Sequence, residues 1–287
     1  MREFPALDEQ QAKIYLDVPS DEKSFVRFIN DFSAYYLREF PWRETTDVYR
    51  VFLSEVMLQQ TQTQRVRPKY EEFLGLWPDF LSLSQVPFDQ LLSHWKGLGY
   101  NRRALNLQKA AKSTEAWGWT IPNDRTLIES LPGIGPATAS AIQCFCYHDK
   151  AIYLETNIRR VLIYAFFPGD EKVRDAILEQ KLSSLLTYVD DTKNWYYALM
   201  DYGVLLKCLI SNPNKKSAVY HKQSTFKDSN RQIRGQLIHL LSETGTKDKE
   251  AIVHILPFES ERIEYALQQL VDEGLVQELA EGYRISR

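Results

Sequence analysis

The chain has 287 residues and a formal net charge of −3, with 35 Lys and Arg against 38 Asp and Glu, 44% apolar and 13% aromatic residues. This is globular composition at a length that suits two domains, and it excludes disordered, collagen-like and membrane-spanning classes. No stretch approaches the roughly 18 apolar residues of a spanning helix, and the opening residues lack the basic-then-apolar order of a signal peptide, so a cytoplasmic protein is expected.

Only 12 Gly and 12 Pro interrupt long stretches of helical periodicity, and two-residue alternation is nearly absent before the last dozen residues, so the chain reads as mostly α. Residues 1–24, rich in acids, are expected to form an irregular arm. Helices are expected near Ser24–Phe40, Tyr49–Gln59, Pro68–Leu76, Phe88–His94, Arg102–Ala116, Thr126–Ser130, Pro136–Tyr147, Asn157–Phe166, Asp175–Leu186 and Trp195–Lys207. Residues 211–229, with Asn-Pro-Asn-Lys-Lys-Ser, have the composition of a linker or exposed loop. Beyond it, three short helices (Gln232–Leu241, Lys249–Leu256, Glu261–Glu273) and two strands around Glu281-Gly282 suggest a winged helix.

Charge is unevenly spread. Between Asp201 and Ser242 seven bases, Lys222 among them, face two acids, whereas residues 243–287 carry ten acids and five bases. The first stretch suits phosphate contacts and the second does not, so residues 243–287 are expected to pack on the core or to meet a protein. The three cysteines, Cys144, Cys146 and Cys208, are too few for a disulfide framework and one short of an iron–sulfur ligand set. Neither a cofactor nor a metal site is expected.

Three stretches carry chemistry. In Val51-Phe-Leu-Ser-Glu55-Val-Met-Leu-Gln59-Gln60-Thr-Gln62, helical spacing puts Glu55 on the apolar stripe beside Val51, Phe52 and Leu58. Desolvation there would raise its pKa and suit it to donate a proton; a partly exposed Glu paired with a residue such as Arg50 is an equal alternative. Leu131-Pro-Gly133-Ile134-Gly135-Pro136 joins two helices by a tight turn, and the following helix start is suited to phosphate; as a bare pattern it is equally an ordinary helix–helix turn. Glu155, just ahead of Thr156-Asn157-Ile158-Arg159-Arg160, meets a helix N-terminus that favours its ionised form. The commoner role for an acid there is to stabilise its helix. A protonated Glu55 with an ionised Glu155 would be the pair that glycosidic cleavage needs.

Pro41-Trp42, Leu53-Ser-Glu-Val-Met-Leu-Gln-Gln-Thr-Gln62, Gly97-Leu-Gly-Tyr100, Leu131-Pro-Gly-Ile-Gly135 and Asn157-Ile-Arg-Arg-Val-Leu162 occur in the order seen in A/G-specific adenine DNA glycosylases. Over about residues 30–210 the chain resembles this branch of the helix-hairpin-helix glycosylase superfamily. The resemblance implies a mostly α, two-lobed helix-hairpin-helix fold, to which the residue pattern adds a small winged-helix-like α/β domain at the C-terminus. The expected division is an arm (1–24), a core (25–210), a basic linker (211–229) and the small domain (230–287).

It also implies an enzyme that flips a purine from double-stranded DNA carrying a lesion or mismatch, with Glu55 as the acid. Gln60 would enter the base stack with Gln59 beside it, Tyr100 would wedge beside the lesion pair, and Gly133, Ile134 and Gly135 would hold phosphate. Arg102, Asn157 and Arg159 complete the expected DNA-contacting set. Ala137 stands where related lyases carry a Schiff-base lysine, so strand cleavage through an imine is not expected.

Three departures from the family's pattern stand out. Glu155 replaces its Asp, the four-cysteine loop after Lys207 is lost, and the module that inspects an oxidised guanine is replaced by the winged-helix-like piece. The expected activity is monofunctional hydrolysis of adenine opposite guanine or 8-oxoguanine by a monomer. The alternatives are another damaged or mispaired base, or a non-catalytic DNA-binding protein on the same fold.

Overall fold

The computed structural model describes residues 8–220 and 225–286, so residues 1–7 of the expected arm and Lys222 of the basic stretch lie outside it. The helices are α1 Glu9–Leu16, α2 Glu22–Tyr36, α3 Val48–Leu58, α4 Thr63–Leu76, α5 Phe80–Gln85, α6 Phe88–His94, α7 Arg102–Ser113, α8 Arg125–Ser130, α9 Pro136–Tyr147, α10 Thr156–Phe166, α11 Asp175–Leu186 and α12 Thr192–Leu209. There follow α13 Asn230–Thr244, α14 Lys249–Ile255, α15 Ser260–Asp272 and the strands β1 Val276–Leu279 and β2 Gly282–Ile285. The strands pair antiparallel, Val276 opposite Ile285 and Leu279 opposite Gly282.

The chain divides into two compact units, each assembled from two stretches: residues 8–51 with 135–220, and Phe52–Ile134 with residues 225–286. In the first unit α12 is the central helix. It is apolar around most of its surface and buries Trp195, Tyr196, Leu199, Tyr202 and Leu206, as a helix packed on several sides must. In the second unit α7 has Ala104, Leu107, Ala110 and Ala111 fully buried. Phe73 meets Trp77 and Trp95 edge-on at 4.9 and 5.9 Å, the geometry that aromatic quadrupoles prefer.

The reading of residues 1–24 as irregular needs correction, since α1 lies within it. Asp8 accepts from the Gln11 amide while the Gln11 side chain accepts from the Asp8 amide, a reciprocal cap that satisfies two otherwise orphaned donors. Tyr15 then packs edge-on against Phe32 and Tyr36. Helix α5, also unforeseen, starts with the same device between Asp79 and Ser82. Helix α4 begins at Thr63 rather than at Pro68, with the proline inside it.

One charge lies wholly inside the first unit. Asp201 of α12 is 0% exposed and accepts both guanidinium nitrogens of Arg43 at 2.7 and 2.8 Å, together with the Arg38 Nε and backbone amide at 2.7 Å each. This cluster ties the segment between α2 and α3 to the central helix. Asp201→Ala would leave two part-buried guanidinium groups without their carboxylate, and breaking buried pairs costs about 3–5 kcal/mol. A urea unfolding curve should therefore shift to a much lower midpoint with little change in slope.

Candidate functional site

Helix α3 carries Glu55 where the spacing places it. Val51, Phe52, Val56 and Met57 around it are 0–3% exposed, while Glu55 is half-buried. The helix stops at Leu58, and Gln60 follows with φ of +57°, a left-handed backbone that non-glycine residues rarely keep. Tyr100, after Gly97-Leu98-Gly99, is a second such residue at +47°.

A residue that the motifs do not single out holds these two turns in place. Arg103 of α7 is 8% exposed. Its NH1 donates to the Val56 and Met57 carbonyls at the end of α3, at 2.9 and 2.8 Å. Its NH2 donates to Thr61 Oγ1, Leu98 O and Gly99 O at 2.8–3.0 Å. The guanidinium also lies 5.2 Å from the Trp95 ring centre and 5.7 Å from that of Tyr100. Burial pulls its pKa down to about 10, which leaves it charged at neutral pH. Five acceptors in a planar fork are beyond an ammonium group. Arg103→Lys should thus cost about 1–3 kcal/mol through unmade bonds to buried carbonyls, read as a lower melting temperature, and DNA affinity should fall with it.

The clamped turns border a cleft of about 940 Å³ within the second unit. Gln59, Gln60, Tyr100 and Arg102 line it together with Arg65, Asn101 and residues of α13 and α15. Four of the expected DNA-contacting residues of this unit are therefore brought to one place. Gln59 in addition donates to the Gly133 carbonyl at 3.3 Å, which ties the hairpin to the end of α3. Gly133 has φ of +77°, and a Cβ on it would lie 2.8 Å from Asn106, so both its conformation and its packing require glycine. Ile134 is buried, and Gly135, with no side chain to cap α9, precedes Pro136 at the first helical position.

Glu155, in the other unit, is the N-cap of α10. Its Oε1 accepts from the Asn157 and Ile158 amides at 2.7 and 2.8 Å, and its Oε2 accepts from Asn157 Nδ2 at 3.2 Å. Arg160 fixes Asn157 by donating to its Oδ1 at 2.6 Å and reaches the Gly203 carbonyl at 2.8 Å. Gly203 packs so close that a Cβ would sit 2.5 Å from the Asn157 carbonyl. The reading that a helix start alone keeps Glu155 ionised needs correction. Burial is the largest influence and pushes its pKa up, against the Asn157 and Ile158 amides and the charges of Arg160 and Arg159. Arg159 itself forms a two-point pair with Asp175 at 3.0 and 2.7 Å, so a protein carboxylate occupies its fork.

The signature of HhH-GPD superfamily base excision DNA repair proteins matches residues 53–186, the stretch that runs from α3 through the hairpin to α11. Over these residues the chain is similar to the HhH-GPD superfamily. An adenine DNA glycosylase of Buchnera aphidicola is 37% identical over 187 residues, 64% of this chain and 53% of that protein, so the chain spans about half the length of that relative. One from Mycolicibacterium smegmatis is 28% identical over 266 residues, 85% of this chain and 90% of that protein. Among solved structures, a thermostable thymine-DNA glycosylase superposes with a TM-score of 0.57 at 26% identity, covering 68% of this chain and 91% of that one.

The three cysteines do not suit an iron–sulfur cluster. Cys144 and Cys146 are buried on α9, where Cys144 donates to the Ala151 carbonyl, while Cys208 is exposed near the end of α12. Among the described residues no group of three or more His, Cys, Asp or Glu is placed to hold a metal. In place of a cysteine loop, the turn Pro213–Lys216 docks by ordinary hydrogen bonds. Asn214 is 4% exposed and donates to the Thr156 carbonyl beside Glu155 at 3.0 Å. The Lys216 carbonyl accepts from Val173, whose own carbonyl accepts from Ala218, at 2.8 Å each. Among the described residues no helix is long and apolar enough to cross a membrane.

Proposed function

We propose that the chain is a monofunctional DNA N-glycosylase that removes adenine opposite guanine or 8-oxoguanine. The observation that carries this reading is Glu55, a carboxyl half-buried among the core-facing residues of α3, one turn before the glutamines that border the cleft. A helix that only had to pack or bind DNA would gain by an apolar residue at that position. Glu55 donates a proton to the purine, and the glycosidic bond breaks with its electron pair leaving on the base. Glu155 in its ionised form offsets the charge of the oxocarbenium-like sugar. Water adds at the anomeric carbon and loses a proton, leaving an abasic site. Alanine at position 137 offers no amine for imine formation.

The names of the two glycosylase relatives support adenine as the base. The likeness to a thymine-DNA glycosylase favours, as a second reading, another mispaired base. Single-turnover assays on duplexes with varied base pairs, developed with hot alkali, separate them. Release is expected from adenine pairs with guanine or 8-oxoguanine, and no nicking is expected when alkali is left out. Release from thymine pairs alone would favour the second reading, and a chain inert on every pair is a binder.

A further inference from the structure

Flipping one base leaves its partner unpaired, and an unpaired nucleotide is held by an aromatic face, amide groups and a cation. Gln60 and Tyr100 line the 940 Å³ cleft together with Phe226 and Asn230, which no motif in the sequence marks, and Arg231, one of the seven bases of the basic stretch. Phe226 is 61% exposed and Tyr100 37%, so both present ring surface to solvent. Among the lining residues four arginines, 65, 102, 231 and 234, join the inward-turned Arg103, and the sole acid is Glu273, which Arg234 pairs with at 2.6 Å. Arg231 NH1 reaches the Tyr100 hydroxyl at 3.1 Å, so α13 touches the wedge turn directly. Asp228, two residues past Phe226, holds φ of +58°, as Gln60 and Tyr100 hold theirs, a conformation that persists only where the surroundings impose it. The acids of residues 243–287 leave this face largely clear, since Glu273 is the one that borders the cleft.

We infer that Phe226 and Arg231 form the C-terminal half of a nucleotide-binding subsite that takes the unpaired partner of the flipped base, its ring stacked on Phe226 and its phosphate on Arg231. The identity of the occupant rests on the glycosylase reading; the test does not. Two duplexes serve as probes, one with a tetrahydrofuran abasic analogue opposite guanine and one with the analogue on both strands. The native chain should bind the first about tenfold tighter. Phe226→Ala should erase that ratio while affinity for the doubly abasic duplex and the melting temperature stay put. Arg231→Ala should flatten the salt dependence of binding to the first duplex by about one unit of slope. A ratio unmoved by Phe226→Ala, or an equal loss on both duplexes, overturns the inference. Adenine excision from a third duplex, measured with the same protein preparations, keeps the two readings apart. A chain that excises nothing yet shows the Phe226-dependent ratio loses the glycosylase reading and keeps the subsite, and the opposite pattern does the reverse.

Discussion

Glu55→Gln is expected to slow single-turnover adenine excision by about 10³-fold at neutral pH, the middle of the range that positioned general acids contribute. The amide matches the carboxyl in shape but has no acidic proton for the leaving base. Because Val51, Phe52, Val56 and Met57 are buried around this half-buried position, replacing an ionisable group by a neutral one relieves a desolvation cost. Thermal stability should hold or rise slightly. Duplex affinity should stay close to native, so the loss belongs to the chemical step and not to binding. A variant that binds poorly or unfolds would assign Glu55 to structure, and one that excises at the native rate would remove it from the reaction.

Glu155→Gln is expected to reduce excision by about 10²–10³-fold, the scale of a lost electrostatic partner to a developing charge. Stability provides the control. Burial raises the Glu155 pKa in the folded chain, so this carboxyl contributes stability at low pH, and that contribution is lost as pH climbs through the raised value. At neutral pH the glutamine variant should therefore be at least as stable as the native chain, since its amide oxygen can still accept from the Asn157 and Ile158 amides. A purely capping role predicts the reverse, with stability lost and the chemistry spared. The same shift sets a pH dependence. Native excision should fall as pH drops through a value above the ordinary carboxylate range, because only the anion offsets a cationic sugar, and the glutamine variant should lose that acidic limb.

Periodicity and caps made α6, α9 and α11 legible with their observed bounds, and the three helices and hairpin at the C-terminus nearly so. Helices α1 and α5, of eight and six residues, are too short for a strong apolar stripe and depend on reciprocal caps, a signal easily lost among polar residues. Arg103 was hidden for a different reason: beside Arg102 it reads as half of a basic pair, although one is exposed and the other is buried under five acceptors. Asn214 sits in a run that reads as a solvated turn, yet it is buried against the start of α10. The half-buried setting of Glu155 includes packing between stretches far apart in sequence, such as Gly203 against its partner Asn157, which no local pattern could have revealed.

Each unit is stitched from stretches separated by the other, with residues 8–51 waiting for 135–220 and Phe52–Ile134 for 225–286. On a ribosome adding roughly 5–20 residues per second, the first stretch emerges many seconds before its mate exists. Asp201 reaches Arg38 and Arg43 only after Phe52–Ile134, the first stretch of the other unit, has been made. Neither half can mature in order of synthesis, so loop closure over long spans governs how fast the nascent chain becomes competent.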